Sequence, residues 1–84
     1  MFGTIVLSIA GRDKGYHFIV TTVQDNFVYI VDGDIHKIEN PKYKKIKHIE
    51  VVGKCEESLI KRLINNNKVT NQDIKRALKK LQEA

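Results

Sequence analysis

The spacing of apolar residues changes once along this chain, near Gly53, and that change limits what the chain can fold into. Before Gly53, β-branched and aliphatic residues come in short runs with a period of two; after it they recur three and four positions apart. A period of two suits strands with one buried face, whereas spacings of three and four suit helices with one apolar stripe. A β half followed by a helical half is expected.

Five strands are expected in the first half. Thr4 to Ala10 is aliphatic and β-branched and runs into the turn-rich pentapeptide Gly11-Arg12-Asp13-Lys14-Gly15. Tyr16 to Val23 and Phe27 to Val31 flank the turn Gln24-Asp25-Asn26 and make a hairpin. Asp32-Gly33-Asp34 is a strong turn signal, because glycine tolerates positive φ and aspartate accepts from nearby backbone donors; a short fourth strand is expected over Ile35 to Ile38. Pro41 interrupts, and Lys45 to Val52 resumes the extended pattern as a fifth strand. Five short strands in about 50 residues suggest a small barrel.

In the second half, the acidic pair Glu56 and Glu57 precedes Leu59, Ile60, Leu63 and Ile64, so a first helix is expected from Glu56 to Asn65. Asn65-Asn66-Asn67 ends it. Thr70 fits an N-cap with Asp73 at the third helical position and Val69 against Ile74 as a hydrophobic staple. A second helix follows over Asn71 to Glu83, burying Ile74, Ala77, Leu78 and Leu81. With 84 residues there is room for one modest hydrophobic core. The expected organisation is a barrel over residues 1–53 and a helical extension over 54–84, packed on or beside it.

Several function classes find no support in the residues. No apolar run approaches the roughly 18 residues that span a bilayer. Met1 to Ala10 lacks a basic leader and is interrupted by Gly3, Thr4 and Ser8, so it reads as a strand and not a secretory signal, and a cytoplasmic location is expected. Cys55 is the single cysteine and reads as a small buried residue. His17, His36 and His48 share no metal spacing, and no nucleophile with a base, paired carboxylates or phosphate loop entering a helix is present. No enzymatic activity, metal or cofactor is expected.

Charge is the positive signal. The formal net charge of +5 favours polyanionic partners, and its distribution decides which residues matter. Arg12 and Lys14 stand beside Asp13 between two glycines, a loop suited to presenting cations and backbone amides to phosphate oxygens. The alternative is a tight hairpin in which Asp13 bonds its own backbone.

The segment Ile5-Val6-Leu7-Ser8-Ile9-Ala10-Gly11-Arg12-Asp13-Lys14-Gly15 resembles the KOW motif of ribosomal and transcription-elongation proteins, most strongly in Gly-Arg-Asp-Lys-Gly. The similarity extends through Asp32-Gly33-Asp34 to Lys47-His48, where the chain resembles small KOW proteins related to eukaryotic and archaeal large-subunit ribosomal proteins. Phe18 stands where bacterial ribosomal KOW proteins commonly carry another glycine, which sets the resemblance nearer the eukaryotic-type branch. The resemblance implies a five-stranded SH3-like barrel whose loop at Gly11 to Gly15 contacts RNA or a protein partner.

The densest basic segment holds Lys37, Lys42, Lys44, Lys45 and Lys47, with Tyr43 inside it, His36 and His48 at its flanks and Glu39 as the only acid. Lysines there would neutralise phosphates while Tyr43 stacks on an exposed base or sugar; they would equally protect an edge strand from unwanted pairing. Lys75, Arg76, Lys79 and Lys80 on the last helix either extend an RNA footprint or complement the helix dipole. The expected function is binding of structured RNA, ribosomal RNA or a ribosomal subunit by the resemblance, in translation or ribosome assembly. Arg12, Lys14, Tyr16, Lys37, Lys42, Tyr43, Lys44, Lys45 and Lys47 are the expected contacts. The competing expectation is a protein-interaction module that grips a translation or transcription factor, with the helical tail as a further protein-binding surface.

Overall fold

Alternation in the first half produces strands, and the longer spacing in the second half produces helices. The computed structural model describes residues 1–65 and 68–83. It contains β1 (Thr4–Ser8), β2 (His17–Gln24), β3 (Phe27–Val31), β4 (Lys42–Lys45), β5 (Ile49–Lys54), α1 (Glu57–Ile64) and α2 (Asn71–Glu83), with a 3-10 turn at Ile46–His48. The strands form one antiparallel sheet in the order β4-β3-β2-β1-β5, so the chain is mainly β with C-terminal helices.

Neighbouring residues on a strand face opposite sides of the sheet, and both sides are used. Val6, Phe18, Val20, Val28, Ile30 and Ile49 form one buried cluster. Their neighbours Ile5, Ile19 and Val31 lie on the other side and pack with Cys55, Leu59, Ile74 and Leu78. Burying an aliphatic side chain of this size stabilises by about 1.5–3 kcal/mol, so Leu59 and the fully buried Ile74 hold α1 and α2 onto the sheet.

The start of α2 follows its sequence signature. Thr70 Oγ1 accepts from the Asp73 N–H at 3.1 Å, and Asp73 Oδ2 accepts from the Thr70 N–H at 3.0 Å. This reciprocal pair satisfies donors that a helix start leaves open. Val69 packs against the cluster that contains Ile74. Arg62 of α1 also donates to Asp73 Oδ2 at 3.0 Å and so joins the two helices. Of the four apolar residues at helical spacing in α1, Leu59 is buried in the core, Ile60 and Leu63 are partly buried and pack against it, and Ile64 is exposed. Of the Asn65-Asn66-Asn67 stop, Asn66 and Asn67 lie outside the described residues; Asn65 caps α1 with its N–H on the Lys61 carbonyl.

The fourth strand is not where the β-rich run Ile35 to Ile38 predicts it. Asp32 Oδ1 accepts from the N–H groups of Asp34 and His36, and the Asp32 and Gly33 N–H groups both reach the His36 carbonyl. These local bonds take the donors a strand would need and wind the segment into turns, leaving Ile35 77% exposed. The pairing strand is Lys42–Lys45, directly after Pro41. The predicted fifth strand over Lys45 to Val52 is likewise divided: Ile46–His48 forms the 3-10 turn, and pairing with β1 occupies Ile49–Lys54.

The sheet is strongly bent. Three strand spacings separate β4 from β1, roughly 14 Å if flat, yet Lys44 Nζ on β4 donates to the Ala10 carbonyl just beyond β1 at 2.7 Å. Register shifts between Ile5 and Val6 and between Val20 and Thr22 supply the local irregularities that curvature requires.

Candidate nucleic-acid interface

The loop joining β1 and β2 is held by its own backbone. Gly11 and Gly15 have φ of 86° and 93°, a region open to glycine at little cost. The Lys14 N–H bonds the Gly11 carbonyl, and the Gly15 N–H bonds the Ser8 carbonyl. Asp13 lies inside this loop, only 7% exposed.

Three side chains converge on Asp13 and replace the self-bonding alternative. Ser8 Oγ donates to Asp13 Oδ1 at 2.6 Å, and Lys44 Nζ donates to the same oxygen at 2.5 Å. Lys42 Nζ lies 3.0 Å from Oδ2, an ion contact without the alignment of a hydrogen bond. Burial alone would raise the Asp13 carboxyl, but the hydrogen bonds from Lys44 and Ser8 and the Lys42 ammonium beside Oδ2 together outweigh it and hold the group well below the usual carboxylate range. Asp13 therefore stays ionised and ties the loop to β4.

This tie divides the expected contact residues. Lys44 is 8% exposed, with its ammonium on Asp13 and the Ala10 carbonyl, so it is a structural cation and not a surface one. Its place follows from register: Lys44 pairs with Val28, whose side chain is in the inner cluster, and alternation turns Lys44 the same way. Lys42 is half-buried and shares Asp13. Arg12 and Lys14, on either side of Asp13, are exposed, as are Tyr16, Tyr43, Lys45 and Lys47. The loop bearing Arg12 and Lys14 is thereby fixed beside the strand bearing Tyr43 and Lys45.

Lys37 is exposed but belongs to a different part of the molecule. Its neighbour Ile38 donates its N–H to Asn71 Oδ1 at 2.9 Å, and Asn71 in turn donates to Glu39 at 2.8 Å. The segment is thus fastened to the start of α2 and not to β4.

Residues that charge-based reasoning passed over also contribute. Ser8 orients Asp13. Tyr43 stacks on Phe27 with ring centroids 4.4 Å apart and planes 14° from parallel, and meets Tyr29 at 4.9 Å. The signal for Phe27 and Tyr29 was alternation with Val28 and Ile30, which sends aromatic side chains to the face opposite the inner cluster.

A second concavity, about 420 Å³, lies between the helices and β1 and includes Cys55, Glu56, Arg62, Asp73, Arg76 and Lys80. Its cations are largely neutralised internally: Arg62 pairs with Asp73 at 3.0 Å, Arg76 lies 3.9 Å from Asp73, and Lys80 pairs with Glu56. Burial, and then the nearby Glu56, push the Cys55 thiol up to about 11, so it is not a thiolate nucleophile at neutral pH. Among the described residues, no group of three or more His, Cys, Asp or Glu is placed to hold a metal ion, and no helix is long and apolar enough to cross a membrane.

Compared with models of known protein families and with curated proteins, the chain gives no match.

Proposed function

We propose that this protein is a KOW-type RNA-binding module that docks on structured RNA, with ribosomal RNA as its partner, and performs no chemistry on it. The observation that carries this reading is the Asp13–Lys44 pair, which fastens the loop bearing exposed Arg12 and Lys14 to β4, the strand that bears exposed Tyr43 and Lys45. A loop whose backbone is already ordered needs no further backbone ordering on meeting phosphates, and its cations neutralise backbone charge whatever the base sequence. The link from Lys44 to Ala10 across the bent sheet supports reading the β half as a small SH3-like barrel.

Within this reading, Arg12, Lys14, Lys45 and Lys47 pair with phosphates, Tyr16 and Tyr43 pack on exposed bases or sugars, and Lys37 touches an outlying phosphate. Specificity comes from the fit of the loop edge to a folded RNA surface. The test is sedimentation of the tagged protein from lysate at low and high salt, with an RNase-treated control. Salt-sensitive, RNase-sensitive comigration with ribosomal subunits supports it. Sedimentation only as free protein at low salt overturns the ribosomal partner.

One observation favours the protein-interaction reading instead. β5 is an edge strand, and Val51 and Val52 on it are both exposed, a surface that a strand of a translation or transcription factor would cover. A partner held there would remain bound at high salt, whereas RNA held by lysines would not.

A further inference from the structure

The helices cover only part of the outer side of the sheet, at Ile5, Ile19 and Val31. On the same side, toward the β4 edge, stand Phe27, Tyr29 and Tyr43. Tyr29 and Tyr43 are cross-strand partners, Phe27 is opposite Lys45, and Tyr43 lies stacked over Phe27. Tyr43 remains 48% exposed although its ring meets both Phe27 and Tyr29. Alongside runs a groove of about 550 Å³ lined by Asn26, Phe27, Lys45, Ile46 and Lys47, within the ~300–1,000 Å³ range of small-ligand sites.

A cross-strand aromatic pair stabilises a sheet without further help, but that role does not account for the charge beside it. Lys45 and Lys47 are exposed, and among the described residues neither takes part in an ion pair, unlike Lys42 and Lys44 just before them in the chain. Aromatic rings next to unneutralised ammonium groups match a ligand that is flat and apolar at one end and anionic at the other. A nucleotide has this form. In a continuous duplex its base faces are already stacked on their neighbours, so such rings can be used only by a base that is unpaired.

Building on the RNA-binding reading, we propose that Phe27, Tyr29 and Tyr43 form a stacking platform for an unpaired nucleotide, with Lys45 and Lys47 taking the phosphates that flank it. The RNA recognised then carries a bulge, loop or single-stranded segment beside the region gripped by Arg12 and Lys14.

The chain has no tryptophan and three tyrosines, two of them in the platform, so tyrosine emission measured in a Tyr16→Phe background reports on the site. The full chain is titrated with a short oligouridine and, separately, with a perfectly paired RNA duplex, following emission and affinity. Expected results are quenching by oligouridine, affinity roughly tenfold or more weaker in Tyr43→Leu, and near-normal affinity in Tyr43→Phe. The Tyr43→Leu change should weaken oligouridine binding far more than duplex binding and leave the salt dependence of oligouridine binding unaltered, because it removes a ring and no charge. Phe27→Leu supplies a second variant should Tyr43→Leu fail to fold, as judged by circular dichroism. Duplex binding with oligouridine affinity indifferent to loss of either ring overturns the platform and leaves the RNA-binding reading standing. Binding of neither RNA overturns both, and leaves this face to a protein partner.

Discussion

Lys44 and Asp13, 31 residues apart in sequence, form a buried ion pair that fastens β4 to the β1–β2 loop. Both lie in a site nearly closed to water, and Ser8 and the Ala10 carbonyl occupy further hydrogen-bonding positions. Removing one partner of such a pair strands the other, which costs more than the pair itself contributes.

Asp13→Asn is therefore expected to destabilise the fold by about 3–5 kcal/mol, read as a lower urea midpoint with unchanged slope. Lys44→Met leaves Asp13 with Lys42 and Ser8 and should cost less. The double variant should cost less than the sum of the two singles, because the residues share one interaction. Strict additivity would show that the pair is not coupled in the folded state.

Asp13 also sets an acid limit. Its folded pKa lies below the ordinary 3.8, so on acidification the unfolded chain takes up the proton first. The contribution to stability is complete above about pH 5, begins to fall as pH approaches the unfolded value, and is lost through the folded one. Asp73 is shifted the same way, chiefly by the Thr70 N–H. Thermal midpoints should be flat near neutrality and decline below about pH 4, with a shallower decline in Asp13→Asn. An equally steep decline in that variant would assign the acid limit elsewhere.

Much of the architecture was legible because its causes are local. The Thr70–Asp73 capping box needs only residues three apart, and the stripe of Ile74, Ala77, Leu78 and Leu81 needs only helical spacing. The fourth strand was misread because Ile35 to Ile38 has strand-like residues, while the Asp32 side chain captures the donors that decide the matter. The basic run hid a harder distinction. Lys44 and Lys45 are alike in sequence, and which one enters the interior depends on register against Val28 and on a carboxylate far away in the chain.

Gly33 tests the junction between the sheet and α2. Its φ is 79°, and a Cβ there would come within 2.4 Å of the Asn71 carbonyl oxygen, at the first residue of the helix. Gly33→Ala must both adopt a left-handed backbone and push the helix start away, so a loss above about 2 kcal/mol is expected. Chemical denaturation measures it. A neutral result would mean that α2 can shift without loss of packing around Ile74.

The division of the lysines gives the sharpest test of the interface. If all members of the basic run met phosphate, each would contribute equally to the salt dependence of RNA binding. The structure separates them: Lys45 and Lys47 are exposed, whereas Lys44 is spent on Asp13. Lys45→Gln and Lys47→Gln should each lower the slope of log affinity against log salt by about 0.7–0.9, with little change in stability. Lys44→Met should lower stability and, at temperatures where it remains folded, leave that slope within error of the parent. Should Lys44→Met reduce the slope by a full phosphate contact in the folded protein, the ammonium must leave Asp13 on binding, and the clamp would open as RNA docks.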